Sequence, residues 1–378
     1  MLHGETVGLN VFSGPPRLVV PGPAEVGAAR ADKANNNLDV IDHDGRRYLA
    51  WRTAPHHFAH RDAKLHVVSS GDRGDTWEYE TTIALGRDVR EPRFLSLNGS
   101  LFLYCFTLGS TWYRFEPDRV LACMRVVDGW TEPRPISDPG VVEWRPRMLD
   151  GVPTMCVYKG ADTTYGANPQ ATTVEVWTTT DGWTWAPLDP EHPVSHTGGT
   201  ETDLVEAPGG GWVGVTRLEG PDGWGTDVIR STGGRVDDWE TRRFPFKLDS
   251  PLVFRVRDRV FAIARRQVAF GGRYDLGWTR FTPSRRTALY HLLYWSTRKR
   301  TSLWEIDPVT LDVQRLIDLP GHGDTCFPGL VRTDDDAVVT IYNYTSPLDG
   351  HDRSWRSAQL RPTNIYAVDL RFESVGPR

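Results

Sequence analysis

The sequence predicts an all-β protein: a six-bladed β-propeller of four-stranded antiparallel blades. Three observations carry this. Helical periodicity is essentially missing, and 36 Gly and 27 Pro in 378 residues argue against long helices. A pattern of about 50 residues recurs along the chain, which is the scale of one propeller blade. The 15 Trp exceed ordinary usage, and one closes most of the repeats.

Each repeat opens with a polar or acidic lead-in, then a short apolar strand, a turn with Asp, Gly or Asn, and a second apolar strand. The copies are NNNLDVIDHDGRRYLAW from Asn35, VREPRFLSLNGSLFLYCF from Val89, EWRPRMLDGVPTMCVY from Glu143, TETDLVEAPGGGWVGVTR from Thr200, LDSPLVFRVRDRVFAIAR from Leu248 and DTCFPGLVRTDDDAVVTIYNY from Asp324. Second strands begin near Tyr48, Phe102, Thr154, Trp212, Val260 and Val338, at steps of 54, 52, 58, 48 and 78 residues. The long step holds FGGRYDLGWTRFTPS, which reads as a loop insertion. Third strands follow in KLHVVSS, RVLACMRVV, TTVEVWTTT, TDVIRST and TALYHLLYW, and each then meets a turn and a Trp: Trp77, Trp130, Trp185, Trp239 and Trp304. Four short strands per repeat define a blade. The blades are expected over 35–80, 87–135, 141–188, 197–246, 247–318 and 321–375, in one domain spanning the chain.

Composition excludes several functions. A formal net charge of −5 leaves no basic footprint for nucleic acid. No apolar run reaches the 18 or so residues of a membrane span. The N-terminal MLHGETVGLNVFSGPPRLVVPGP has neither a basic start nor an apolar h-region, so a cytoplasmic location is expected. Cys105, Cys123, Cys156 and Cys326 lie in or beside apolar runs without metal spacing and read as buried free thiols. No G-x-S-x-G, P-loop or Rossmann fingerprint appears, so serine-hydrolase and nucleotide chemistry have no support, and no cofactor or metal is expected.

The turn SSGDRGDTWEYE, Ser69 to Glu80, shows how a blade closes. Asp72 can accept from the turn's own N–H groups, Gly74 can take a positive φ, and Trp77 plugs the gap between blades. TTDGWTW, Thr179 to Trp185, is a shorter cousin, and DGWT at Asp128 keeps less. The spacing Ser70-x-Asp72-x-Gly74-x-Thr76-Trp77 resembles the Asp box (BNR repeat) of the sialidase superfamily, which are six-bladed propellers. That resemblance implies a strand from TVGLNVF or PRLVV closing the ring on the last blade. TETDLVEAPGGGWVGVTR is similar to the family stretch that carries a catalytic glutamate and a substrate-binding arginine, which would be Glu201 and Arg217. RRTALYHLLYWS would place Arg285 or Arg286 at a further arginine. The family's first arginine is replaced by Asn37, and its tyrosine nucleophile by Cys326 and Phe327. The resemblance therefore implies a divergent member with a rebuilt site.

In a propeller the innermost strands begin around one central funnel. Here those beginnings supply Asp39, Arg90, Glu91, Arg93, Glu143, Arg145, Arg147, Glu201, Asp203, Asp249 and Asp324. Two readings follow: a water-filled polar pore, or a pocket for a small carbohydrate or glycoside, neutral or anionic. In the second, carboxylates accept from sugar hydroxyls, arginines donate, and two carboxyl groups act as acid and base or nucleophile on a glycosidic bond. The catalytic candidates are Glu201, Asp249, Asp324 and Glu91. The binding candidates are Asp39, Arg52, Arg93, Arg145, Arg147, Arg217, Arg265, Arg266 and Tyr344. Strand alternation lets only one of Arg265 and Arg266 face the funnel, and sets Tyr342 and Tyr344 to one side together. The loop AWRTAPHHFAHRDAKLHVV offers Asp62 or His57 as the proton donor, with His56 and His60 nearby. A lyase or cyclase reusing the funnel, and a non-catalytic glycan-binding propeller, are the competing functions.

Overall fold

The computed structural model of the chain describes residues 2–6, 8–109, 111, 115–164, 169–232 and 235–374; Val7 of the expected closing strand and residue 375 of the last blade lie outside them. Six antiparallel sheets form a six-bladed propeller. The innermost strands of blades 1 to 6 are Ala34–His43, Asp88–Leu97, Val142–Leu149, Gly199–Glu206, Asp249–Val256 and Gly329–Arg332. They lie side by side between blades 1 and 2, 2 and 3, 3 and 4, 4 and 5, and 6 and 1. Leu9–Ser13 adds to the outside of the last blade by pairing with Asn364–Ser374, and Arg17–Val20 pairs with the same strand. Both N-terminal candidates for ring closure are therefore used. Among the described residues no helix is long and apolar enough to cross a membrane.

The inner strands share a device that positions the site. Register slips at their entrances, between Asn36 and Leu38, Arg90 and Arg93, Glu143 and Pro146, Gly199 and Thr202, and Asp249 and Leu252. Such bulges re-aim side chains where a ladder meets a site. Asn37, Glu91, Ser250, Cys326 and Phe327 take positive φ there (42°, 55°, 50°, 91° and 86°). Pro92, Pro146, Pro251 and Pro328 stand within or just after the irregular stretches of blades 2, 3, 5 and 6. A proline has no N–H to leave unpaired at such a break.

The turn Ser70–Trp77 lies between the third and fourth strands of blade 1, as its sequence predicts. Asp72 accepts from the Thr76 N–H at 2.8 Å and the Ser70 hydroxyl at 2.7 Å, and the Gly74 N–H donates to Ser70 Oγ at 2.7 Å. Thr179–Trp185 repeats the scheme around Asp181. Gly74 and Gly182 have φ of 104° and 76°; a Cβ would meet the Tyr342 hydroxyl at 2.7 Å at the first and the Phe102 ring at 2.5 Å at the second.

One assignment is corrected. TALYHLLYW is no strand: Pro283–Ser296 is an α-helix, and the third strand of blade 5 is Lys299–Ile306. Thr282 caps the helix by accepting from the Arg285 N–H, and Pro283 sits at its first turn. The insertion thus runs past FGGRYDLGWTRFTPS into this helix, and a short helix from blade 6, Trp355–Ala358, lies against it.

Candidate active site

The funnel floor is closed by side chains. The Arg93 guanidinium lies 4.5 Å from the Trp144 ring centre and 4.2 Å from that of Phe327. Arg145 reaches across the axis: its Nε donates to the Pro251 carbonyl at 3.0 Å and its Nη2 to the Pro328 carbonyl, with Asp39 at 3.6 Å. Asp39 accepts the Phe94 N–H at 2.9 Å, and Asp203 accepts the Val253 N–H at 2.6 Å while pairing with Arg147 at 2.5 Å. Asp39, Arg145 and Arg147, named above as binding candidates, tie the inner strands of different blades together. Their place at the strand beginnings made them candidates; each is engaged by another blade, and Arg147 Nε keeps no hydrogen-bond partner.

Above this floor, blades 4 and 5 build an ion-pair network. Arg217 pairs with Glu201 at 3.0 Å and Glu219 at 2.8 Å, and lies 3.7 Å from Asp249. Asp249 also faces Lys247 at 3.3 Å and Arg265 at 3.2 Å, and accepts from the Tyr294 hydroxyl at 2.5 Å. Burial opposes ionisation of Asp249, but Lys247, Arg265 and Arg217 outweigh it and hold its carboxyl well below the usual range. Glu219 is held down to about 2, its burial outweighed by Arg217 and Lys247. Burial pushes Glu201 up, and its Oε2 accepts the Ser250 N–H at 2.6 Å.

Blades 6 and 1 meet at Asp324 and His57. His57 Nδ1 lies 2.8 Å from Asp324 Oδ2, while Asp324 Oδ1 accepts from the Trp355 indole at 2.8 Å and the Tyr344 hydroxyl at 3.2 Å. Burial opposes ionisation of Asp324, but His57 and the Trp355 N–H keep its carboxyl below the usual range. Burial likewise lowers His57, whose Nδ1 faces the Asp324 carboxylate and, at 3.3 Å, the Asn36 side-chain nitrogen. Arg52, fully buried and pulled down to about 10 by that burial, binds Asp88 at 2.7 Å and donates to the His56 and Phe58 carbonyls. These bonds brace the loop that carries His57. Arg90 joins the same Asp88 at 2.5 Å and donates to the His57 carbonyl.

The blade 2 and blade 3 side is built differently. Burial, then the charge of Glu201, pushes Glu91 up to about 8. Burial, then Glu91, pushes Glu143 well above the carboxylate range. Glu91 Oε2 and both Glu143 oxygens are buried without a hydrogen-bond partner, as are Nε and Nη2 of Arg93.

The structure thus brings Glu91, Glu201, Asp249, Asp324, His57, Arg217, Arg265 and Tyr344 into one axial cluster. Arg266 points to the opposite face and pairs with Asp318 at 2.5 Å. Tyr344 reaches the cluster, whereas Tyr342, on the same face of its strand, lies beside Gly74 under the blade 1 turn. Asp62 is exposed and lies 3.6 Å from His60, so His57 is the group its loop delivers. Arg286 pairs with Asp275 at 3.2 Å on the added helix, and Arg285 is exposed at that helix's start; neither joins the cluster.

Sequence reasoning missed Glu219, Lys247, Tyr294, Lys299 and Trp355. The last three belong to, or hold, the two helices that cover the cluster. Lys299 donates to the Tyr294 carbonyl at the end of the longer helix, and the Arg265 guanidinium lies 4.2 Å from the Trp355 ring centre. The string TPSRRTALYHLLYWS did carry a signal, a Thr cap followed by Pro.

No protein-family model matches the chain, and no curated protein matches it in sequence. Solved structures do. Trypanosoma rangeli sialidase matches with a TM-score of 0.59 at 13% identity, over 92% of this chain and 57% of that one. Phage phi92 endosialidase gives 0.59 at 11%, over 92% and 69%. Penicillium chrysogenum alpha-L-arabinanase complexed with arabinobiose gives 0.56 at 13%, over 94% and 98%. The chain therefore spans just over half the length of the trypanosome sialidase it matches. It shares the six-bladed fold of these glycosidases and is divergent in sequence.

Proposed function

We propose that the chain is a glycoside hydrolase acting on a small neutral carbohydrate, with Glu91 as general acid and Asp249 as its ionised partner. The observation that supports this is the split between two buried carboxyl groups joined through Glu201 and Arg217. Glu91 keeps its proton to about pH 8, while Asp249 stays charged. Glu91 Oε2 has no hydrogen-bond partner, and Asp249 Oδ1 faces only the cations Lys247 at 3.3 Å and Arg217 at 3.7 Å. An acid that holds its proton beside a carboxylate that has lost one is what cleavage of a glycosidic bond requires. Glu91 donates to the leaving oxygen as positive charge develops on the sugar. Asp249 stabilises that charge and supplies the second step, directly or through water. The anomer released, read by NMR, tells which.

A neutral substrate follows from the arginines. Arg217 is engaged by Glu201 and Glu219, and Arg265 by Asp249, while Asn37 stands where the sialidase resemblance puts an arginine. Among the described residues, the arginines beside Asp249 are thus already paired, and neither is left to take a carboxylate. Substrate reaches Asp249 by displacing Tyr294. A panel of aryl glycosides tests the proposal: wild type should release the aryl group from at least one, and Glu91→Gln should not. Equal turnover by both would remove Glu91 from the mechanism.

A second reading has its own observation. Neutral His57, oriented by Asp324 and beside Tyr344, is arranged as a general base for proton abstraction. A lyase would give an unsaturated product free of ¹⁸O from labelled water; a hydrolase would incorporate the label.

A further inference from the structure

Burying a polar group without a partner is costly, so native interiors rarely do it in clusters. Here the entrances of blades 2 and 3 do so repeatedly. Glu143 is 0% exposed with neither carboxyl oxygen bonded, and Arg93 is 0% exposed with Nε and Nη2 unbonded. The charges of these groups act on each other, yet no ion pair joins them: Arg93 donates only from Nη1, to the Leu38 carbonyl at 3.4 Å. Two packed rings, Trp144 and Phe327, hold the guanidinium in place, so it cannot swing to meet Glu143. Asn37 Oδ1, at the entrance of blade 1, is buried and unbonded as well.

We propose that Glu143 and Arg93 form a subsite for a vicinal pair of sugar hydroxyls, next to Glu91. The chemistry selects this ligand. The unbonded atoms mix donors on Arg93 with carboxyl oxygens on Glu143. An anion would use the donors of Arg93 but carries no hydrogen for the carbonyl oxygen of the protonated Glu143 carboxyl; an ammonium would meet the guanidinium. A hydroxyl group donates and accepts from one oxygen, and two adjacent hydroxyls match a fork of donors opposite a carboxyl group. The hydroxyls would anchor the ring while its glycosidic oxygen faces Glu91. That orientation rests on the hydrolase reading; binding itself does not.

The test uses the full chain and binding without turnover. D-xylose and D-galactose are the probes, tetrahydropyran the hydroxyl-free control and D-glucuronate the charged one, by titration calorimetry and soaked crystals. The expected result is binding of the two neutral sugars with hydroxyls on Glu143 and Arg93, and none of tetrahydropyran. Glu143→Gln should weaken binding by about tenfold, the loss of one hydrogen bond. Glu143→Leu should abolish binding yet raise Tm, because it removes an unpaired buried acid. The proposal is overturned if Glu143→Leu binds sugar like wild type, if its Tm falls, if glucuronate alone binds, or if ordered waters alone contact Glu143 in the soaked crystals. Sugar bound at Glu143 with no glycoside hydrolysed would sink the hydrolase reading and leave the subsite standing. Hydrolysis unimpaired in kcat and KM by Glu143→Leu would do the reverse.

Discussion

The two sides of the funnel solve opposite problems. On the blade 4 to 6 side, Asp249, Glu219 and Asp324 each meet several donors, and the cations Arg217, Lys247 and Arg265 are met in turn. On the blade 2 and 3 side, Glu91 and Glu143 are buried just as deeply and keep oxygens unbonded. Burial alone raises every carboxyl group. What separates the sides is whether cations repay that cost. Carboxyl groups on one axis are thereby divided into ionised and protonated sets.

The largest effect should come from asking both sides to accept the same change, acid to amide. Asp249→Asn removes the charge that holds Lys247, Arg265 and Arg217, and breaking a buried pair costs about 3–5 kcal/mol. Urea unfolding should show that loss, with glycoside turnover down by roughly 10³-fold or more. Should the variant prove as stable as wild type, the paired side is not held by its charges.

Glu91→Gln should behave oppositely in stability while still losing about 10²–10³-fold in rate. The sign follows from linkage. An unfolded Glu loses its proton near 4.5, whereas folded Glu91 holds it to about 8, so the folded state binds more protons between these values. Its contribution is thus present below 4.5 and is lost as pH rises through 8. Removing the group should raise Tm little at pH 5 and by several degrees, roughly, at pH 8. The same proton sets an alkaline limb near pH 8 in wild-type kcat/KM. A profile flat through pH 9 would place the acid elsewhere.

Tyr294→Phe probes the cover over the paired side. It removes a donor to an ionised carboxylate that keeps Arg265 and Lys247, costing about 1.5–3 kcal/mol by denaturant unfolding. On the proposal that substrate displaces this phenol, kcat should hold and KM should not rise. A collapse of kcat would make Tyr294 a reacting group.

The fold was legible in the sequence because its signals are local. Turn chemistry around Asp72 and Asp181, and paired apolar runs every 50 residues or so, need no tertiary knowledge. The convergence of Glu91, Glu201, Asp249 and Asp324 followed from the repeat alone. Facing did not. A bulge at the entrances of blades 1 to 5 breaks the period of two, so Trp144 and Arg145, adjacent in sequence, both reach toward the axis. Asp39 and Arg93 occupy matching strands yet differ in role, because one finds a neighbouring N–H and the other two flanking rings. TALYHLLYW reads as a strand because its apolar residues recur without a clear polar face, and the signal of a helix lies before it, in the Thr282 cap and Pro283.

Arg265 and Arg266 give the smallest and cleanest comparison, where alternation is intact. They are neighbours on one strand beyond the bulge, and register sets Arg265 opposite Asp249. Arg266 forms a two-pronged pair with Asp318 at 2.9 and 2.5 Å, partly in solvent, where Ser302 also holds the carboxylate. An ion pair of that kind is worth about 0.2–1 kcal/mol. Arg266→Gln should therefore cost no more than about 1 kcal/mol and leave turnover within roughly twofold. Arg265→Gln strips a buried cation from Asp249 and should resemble Asp249→Asn in direction. Equal losses in the two variants would mean that the faces of this strand are coupled, and that the pairing of charge, rather than its position on the axis, is what the paired side requires.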